Sequence, residues 1–254
     1  MLLTIDIGNT NIVFGGYNGD ELTFVSRIST NATKTEDEYA TKIKSILSLN
    51  NIKEAVITGA IISSVVPPLN NVIKKAVKKV YDVEPLLVGP GIKTGINLLV
   101  DDPRQVGADL ITASVAAYSL YKEAVLVIDM GTATKMMFVD SNGAFRGVSI
   151  IPGVQISIKA LTGGTAQLPQ ISLDAPSSVI GKNTIDCMKS GVIYGNASLI
   201  DGMIDRITKE CGISPKLIAT GGLAESIIPY CEHEIVIDRY LVLEGLKIIY
   251  NKNV

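Results

Sequence analysis

The chain has 254 residues, of which 47% are apolar and 19% charged, and its 23 basic and 25 acidic side chains give a net charge of −2. A chain this long and this apolar can bury a large core, which excludes disorder for most of it and suits one or two domains. No run of lysine or arginine exceeds two residues. We therefore expect no nucleic-acid partner.

The start of the chain, its longest uncharged stretch and its cysteines predict a cytoplasmic protein. The first ten residues, MLLTIDIGNT, lack the basic region of a signal peptide. The longest uncharged stretch, residues 55–73, contains prolines and asparagines that a membrane span would not carry. Cys187, Cys211 and Cys231 have no zinc or redox spacing. We expect reduced thiols and no association with a membrane.

The pattern of apolar residues predicts strands first and then alternating helices and strands, twice over, which is typical of an α/β fold. Asp102 followed by Pro103 is a favourable helix start. In the first half we predict two hairpin strands within residues 2–20, a strand at 22–28, a helix at 35–49, a strand within 55–65, a helix at 67–81, a strand at 86–88 and a long helix at 102–121. In the second half we predict three strands within 124–151, a helix at 152–161, a loop to 182, a helix at 184–211, a strand at 217–220 and a helix at 239–249.

An internal repeat supports this division. Residues 2–20 read LLTIDIGNTNIVFGGYNGD and residues 125–143 read VLVIDMGTATKMMFVDSNG. Each copy has an apolar run, Asp-x-Gly, a second apolar run and an Asn-Gly turn, which is a strong hairpin signal. Two unrelated glycine-rich hairpins could look alike, but the shared Asp-x-Gly favours duplication. We predict two similar domains, residues 1–122 and 123–254.

The two Asp-x-Gly loops are candidate phosphate-binding turns. Asp6 ends the first strand, and we expect Gly8 to allow a tight turn with positive φ. The polar residues after Gly8 would offer donors to a phosphate, while the carboxylate holds hydrated Mg²⁺. The loop from Asp129 to Thr134 supplies a second set. A purely structural hairpin is the alternative for either loop alone.

Two further segments carry candidate chemistry. Asp109 lies in an otherwise apolar predicted helix, where it is either a satisfied helix residue or a general base that takes a proton from a hydroxyl. Gly221 and Gly222 follow the last core strand, where paired glycines let a ligand such as adenosine approach the backbone closely. The alternative for the glycine pair is an ordinary turn between a strand and a helix.

These segments resemble the type III pantothenate kinase family (Bvg accessory factor-like), within the actin-like acetate and sugar kinase/Hsp70 superfamily. The matching pieces, in the same order, are DIGNT at 6–10, VGAD at 106–109, DMGTAT at 129–134, NT at 183–184 and TGGLA at 220–224. The resemblance implies two RNase-H-like domains with mixed sheets flanked by helices. It implies ATP-dependent phosphorylation of pantothenate to 4'-phosphopantothenate, the first step of coenzyme A synthesis. It also implies a homodimer in which the partner helps to form the pantothenate pocket.

The resemblance also assigns roles to individual residues. Asp109 would be the catalytic base, Asp6 would hold Mg²⁺ through water, and Asp129 would hold a monovalent cation, K⁺ or NH₄⁺. The residues expected to bind ATP are Asp6, Ile7, Gly8, Asn9, Thr10, Asn11, Thr132, Thr134, Gly221 and Gly222. The residues expected to line the pantothenate pocket are Val100, Gly107, Ala108, Asp109, Leu110 and Thr184.

Three positions depart from the family pattern. Leu110 replaces an arginine and Val100 a tyrosine, and both of these help to hold pantothenate in the family. Arg104 or Lys182 could compensate. Lys135 replaces a threonine after the second loop. We expect its side chain to face solvent, although an ammonium group there could instead take the place of the potassium ion.

The departures leave three functions open. The first is a pantothenate kinase. The second is a paralogue that phosphorylates another small alcohol, because Leu110 cannot pair with the pantothenate carboxylate. The third is a regulatory relative without catalytic activity, and retention of Asp109 favours an enzyme over this one.

Overall fold

The computed structural model describes residues 1–53 and 56–254. It forms two compact units, the first made of Met1–Ile96, Asp101–Ser119 and Leu241–Val254, and the second of Asn97–Val100 and Leu120–Tyr240. The division close to residue 119 lies near the predicted boundary. The last helix, however, belongs with the first unit and not with the second, because it packs on the first sheet. No helix in the described ranges is both long and apolar enough to cross a membrane.

The first unit is built on a five-stranded mixed sheet with the strand order β3-β2-β1-β4-β5. The antiparallel pairs β1–β2 and β2–β3 are followed by the parallel pairs β1–β4 and β4–β5. The strands are β1 (Leu2–Ile7), β2 (Asn11–Asn18), β3 (Glu21–Ser29), β4 (Gly59–Ser64) and β5 (Leu86–Leu87), and the helices are α1 (Glu36–Leu49), α2 (Pro67–Tyr81), α3 (Ala108–Tyr121) and α7 (Leu241–Asn251).

The two faces of this sheet are covered by different helices. Leu3, Ile5 and Ile7 pack in one core cluster with residues of α1 and α2. Successive side chains of a strand point to opposite faces, so Thr4 and Asp6 lie on the other face. There α7 packs against the sheet, and α7 also contacts α3, because a Cβ atom on Gly245 would meet the backbone of Thr112. The face that carries Asp6 is therefore the face on which α7 and then α3 are packed.

The second unit repeats the topology. Its six-stranded sheet has the order β11-β10-β7-β8-β9-β6, so β9-β8-β7-β10-β11 corresponds to β3-β2-β1-β4-β5 of the first. This agreement confirms the α/β class and the duplication. The strands are β6 (Asn97–Leu98), β7 (Val125–Met130), β8 (Ala133–Val139), β9 (Ala144–Pro152), β10 (Lys216–Thr220) and β11 (Val236–Ile237), and the helices are α4 (Val154–Gly163), α5 (Thr184–Cys211) and α6 (Ala224–Ile227).

The core of the second unit fixes which way its site residues point. Ile128, Met130 and Met136 pack in one cluster with α4 and α5. Asp129 and Lys135 alternate with these residues, so both lie on the opposite face of the sheet.

Most predicted elements are confirmed, and two predicted helix starts differ from the structure. The predicted helix at 102–121 is wrong at its beginning. A 3₁₀ turn at Pro103–Gln105, capped by Asp102, is followed by extended Val106, and α3 begins only at Ala108. Pro152 ends β9 instead of opening a helix. The strand predicted within 55–65 is β4, and Ala55 lies outside the described residues.

Candidate functional site

The loop after β1 is a tight turn held by the end of β3. The backbone N–H of Gly8 donates to the carbonyl of Asn11 at 3.0 Å, and the Thr30 hydroxyl donates to the carbonyl of Gly8 at 2.6 Å. The side chains of Asn9 and Thr10 are exposed above this turn. The expected positive φ at Gly8 is wrong. Glycine is favoured there because a Cβ atom would lie 3.1 Å from the Asn11 carbonyl oxygen.

Asp6 is half-buried at the end of β1, beside the end of β4. Its neighbour in the parallel register is Ser63, which is fully buried and whose hydroxyl has no hydrogen-bond partner in the described structure. Adjacent residues of paired strands lie on the same face, so the Ser63 hydroxyl and the Asp6 carboxylate are neighbours on one face of the sheet. The sequence analysis did not single out Ser63. The signal was a polar residue at the end of an apolar strand.

Ile7 supports this turn through its buried side chain and its backbone. Its side chain is fully buried in the core, and its carbonyl accepts a hydrogen bond from the N–H of Val65 at 3.0 Å. Its side chain is thus not exposed to a ligand. The expected contact of Ile7 with ATP stays a prediction.

The loop after β7 is the counterpart of this turn in the second unit, but a lysine lies beside its aspartate. Asp129 is register partner of Lys135 on β8, and the Lys135 Nζ lies 2.6 Å from Oδ2 of Asp129. The lysine side chain is 16% exposed, so the expectation that it faces solvent is wrong. Thr132 is exposed at the tip. Thr134 is 2% exposed on the core face, and its hydroxyl has no partner among the described residues.

The glycine pair packs directly against this loop. Gly221 follows β10, whose last residue Thr220 is register partner of Asp129. Gly221 has φ +94°, and a Cβ atom on it would lie 2.7 Å from both Oδ1 of Asp129 and the backbone of Met130. Gly222 is exposed, with open space where its Cβ would be. Gly221 therefore lets this turn pack directly against Asp129 and Met130, and Gly222 faces open space.

Gly153 is a second supporting residue that the sequence reading missed. It caps the start of α4, and a Cβ atom there would overlap the carbonyl oxygen of Thr132. Only glycine lets the helix start approach the loop this closely. The signal was a glycine after a strand-ending proline, which is too common to single out.

Asp109 lies in the first turn of α3, not inside the helix as predicted. Its Oδ1 accepts a hydrogen bond from the N–H of Leu110 at 2.9 Å, and the helix dipole favours a carboxylate at this end. A Cβ atom on Gly107 would lie 2.5 Å from the same oxygen. The half-buried carboxylate is therefore held at a helix start, on an element that α7 links to the face carrying Asp6.

The residues expected to hold pantothenate are divided between the units. Leu110 is 7% exposed beside Asp109 in the first unit. Arg104 binds Asp102 through two nitrogen–oxygen contacts of 2.9 and 3.2 Å, and this guanidinium holds the pKa of the Asp102 carboxyl below its usual value. Arg104 therefore has a carboxylate partner within its own unit, in an ion pair whose arginine side chain is 82% exposed.

Val100 and Thr184, two more of the expected pocket residues, belong to the second unit. Val100 is half-buried, Thr184 is the exposed first residue of α5, and Lys182 is exposed just before it. The side chain of Asn183 caps this helix by accepting from the N–H of Asp186 at 3.0 Å. Ala108 is buried at the start of α3 in the first unit.

The cations implied by the resemblance fit the two loops unequally. No group of three or more His, Cys, Asp or Glu side chains in the described ranges could hold a metal ion. Mg²⁺ often uses only one or two carboxylates and keeps its waters, so Asp6 beside the orphaned Ser63 hydroxyl fits it. Asp129 does not fit a monovalent cation in the same way, since Lys135 already occupies one of its oxygens.

Comparison with known proteins finds sequence similarity along the whole chain. The family model for type III pantothenate kinase matches residues 2–206. A type III pantothenate kinase of Halalkalibacterium halodurans is 44% identical over 254 residues, covering 100% of both chains.

Two solved structures share the fold at low sequence identity. A Campylobacter jejuni protein described as a Baf family transcriptional activator has a TM-score of 0.62 and 22% identity, covering 99% of this chain and 98% of that one. The ROK hexokinase of Thermus thermophilus has a TM-score of 0.51 and 11% identity, covering 100% and 99%.

Proposed function

Because the chain belongs to the type III pantothenate kinase family, we propose that it transfers the γ-phosphoryl group of ATP to the hydroxyl of pantothenate. The product is 4'-phosphopantothenate, and the reaction is the first step of coenzyme A synthesis. The observation that carries the proposal is the placement of Asp6 and Asp129 at the ends of corresponding strands in two units of one topology.

The loops supply the binding and positioning on which phosphoryl transfer mainly depends. In the first unit the turn at Gly8 offers donors to a phosphate. In the second unit the exposed Thr132 does the same, and the open side of Gly222 is the place expected to accept the adenosine. Asp6 would hold Mg²⁺ through water, and the ion would supply positive charge against the phosphates.

Asp109 acts as the general base in this proposal. Its carboxylate accepts the proton of the pantothenate hydroxyl as that oxygen attacks phosphorus, a role worth typically ~10²–10⁴-fold in rate.

A second candidate is a kinase for a different small alcohol. Leu110 is apolar and almost buried, and Arg104 is engaged with Asp102, so the described residues near Asp109 offer no arginine ready for the pantothenate carboxylate. An uncharged acceptor would suit this surface better. Nothing in the described structure favours the third alternative, a regulator without activity.

The assembly state and location are also proposals. Ile150 is 67% and Ile180 78% exposed in the second unit. Apolar side chains this exposed suit an interface with a second copy, so we propose a homodimer, in the cytoplasm, with no nucleic-acid or membrane partner. A monomeric mass in sedimentation at micromolar concentration would contradict the dimer.

An ADP-release assay with a panel of small alcohols, each added to protein, Mg²⁺ and ATP, tests the activity. Pantothenate is expected to give the highest kcat/KM. A higher kcat/KM for an uncharged alcohol would favour the second candidate. If no alcohol of a broad panel stimulated ADP release, both candidates would be contradicted.

A further inference from the structure

The two hairpins differ in length by one residue. In the first unit Asp6 is register partner of Val13, and in the second Asp129 is register partner of Lys135. The partner therefore comes seven residues after the aspartate in one copy and six in the other. A second hairpin of the first one's length would have placed Met136 opposite Asp129. The shorter loop brings a lysine to the carboxylate instead.

The resulting contact is close and largely shielded from solvent. Nζ of Lys135 lies 2.6 Å from Oδ2 of Asp129, with the two side chains 16% and 14% exposed. Directly opposite residues of antiparallel strands lie on the same face, so the register itself maintains the pair. A charge-assisted hydrogen bond of this kind is among the stronger polar contacts in proteins.

The ion pair lies where both nucleotide loops of the second unit begin. The positions that Cβ atoms on Gly221 and Gly131 would take lie 2.7 and 3.5 Å from Oδ1 of Asp129. One oxygen is thus bounded by loop backbone and the other by the ammonium group. A free cation would have to displace Lys135, because the pair is already neutral and a second positive charge would be repelled.

We propose that Lys135 is this protein's built-in cation: its ammonium group holds the Asp129 carboxylate and replaces the free monovalent ion that the family resemblance implies. Lys135 acts here as a positioning residue, because it fixes Asp129 and through it the loops at Gly131 and Gly221. The part of the inference that concerns nucleotide rests on the proposed function. The part that concerns the cation site does not.

The test compares the full-length wild type with Lys135→Thr, in KCl and in choline chloride at equal ionic strength. Lys189→Thr is the matched control, since it breaks another 2.6 Å lysine–aspartate pair in the same unit, with a lysine that is 15% exposed. The first readout is the melting temperature without nucleotide, because an ion that binds only the folded state raises it. The second is the Kd of Mg·ATP.

For the wild type, the melting temperature in KCl is expected to equal that in choline chloride. The same equality is expected for Lys189→Thr. Lys135→Thr is expected to melt lower in choline and to be stabilised specifically by K⁺. Its Kd for Mg·ATP should be at least ~10-fold tighter in KCl, whereas the wild-type Kd should be the same in both salts. Lys135→Met serves in the same way if the threonine variant does not fold.

Either of two results would overturn the proposal. One is a wild type that K⁺ specifically stabilises, which needs no variant to detect. The other is a lysine-135 variant that responds to K⁺ no more than Lys189→Thr. Absence of Mg·ATP binding in every salt would instead contradict the proposed function, and the melting comparison would still decide the cation question.

Discussion

Gly107 and the carboxylate of Asp109 fit together at the start of α3, where a Cβ atom on the glycine would lie 2.5 Å from Oδ1 of the aspartate. Because the obstructing atom is the end of a side chain, a methyl group at residue 107 would displace the carboxylate and leave the helix intact. Gly107→Ala is therefore expected to reduce kcat by ~10-fold or more with little change in melting temperature.

Gly89→Ala is the control for this substitution. Gly89 is in the same unit, and a Cβ atom there meets no atom within 4 Å. Its kcat should equal that of the wild type. A Gly107→Ala enzyme with unchanged kcat would show that the position of the Asp109 carboxylate does not limit the reaction.

Gly221 and Gly222 are expected to respond differently to alanine. At Gly221 the methyl group would meet Asp129 and the Met130 backbone at φ +94°, so Gly221→Ala should lower the melting temperature and weaken nucleotide binding together. At Gly222 the space is open, so Gly222→Ala should weaken binding alone, by reaching the ligand. Thermal melting and nucleotide titration of both variants measure this, and equal losses of stability would contradict it.

Much of this fold could be predicted from local sequence. The helix predicted at 35–49 is α1 (Glu36–Leu49), and Thr35 and Glu38 form a capping box at its start, in which the Thr35 N–H donates to the Glu38 carboxylate at 2.9 Å. Pro67 opens α2, and Asn183 opens α5. Each of these starts depends on residues within a few positions of each other, which is why sequence alone was sufficient.

The features that the sequence did not predict depend on contacts between residues distant in sequence or on strand register. The helix start at Ala108 was missed because Asp102-Pro103 is a valid start for the 3₁₀ turn that precedes it. The sequence left open whether Lys135 faces solvent or replaces the potassium ion, because a difference of one residue in loop length decides which side chain stands opposite Asp129. The packing of α7 in the first unit depends on close approaches such as that of Tyr250 to Gly59, which no local pattern reports.

Leu110 is the position at which the acceptor preference can be changed. An arginine there could pair with the pantothenate carboxylate, so Leu110→Arg is expected to raise kcat/KM for pantothenate by ~10-fold or more. Leu110 is 7% exposed, so the variant should also lose ~1–3 kcal/mol of stability through overpacking.

Leu110→Met is the control, because it keeps the volume and adds no charge. Steady-state kinetics with pantothenate, together with thermal melting, compare the three proteins. A robust wild-type rate that Leu110→Arg does not improve would show that another group already holds the carboxylate.

We propose that this chain moves the γ-phosphoryl group of ATP onto pantothenate with Asp109 as the base. The most direct measurement is transfer of label from γ-labelled ATP to pantothenate, in wild type and Asp109→Asn, with nucleotide affinity measured alongside. We predict labelled 4'-phosphopantothenate from the wild type, a rate at least ~100-fold lower from the variant, and the same Kd for Mg·ATP in both. Equal transfer rates in the two proteins would contradict the account, as would a wild type that binds Mg·ATP and labels no pantothenate.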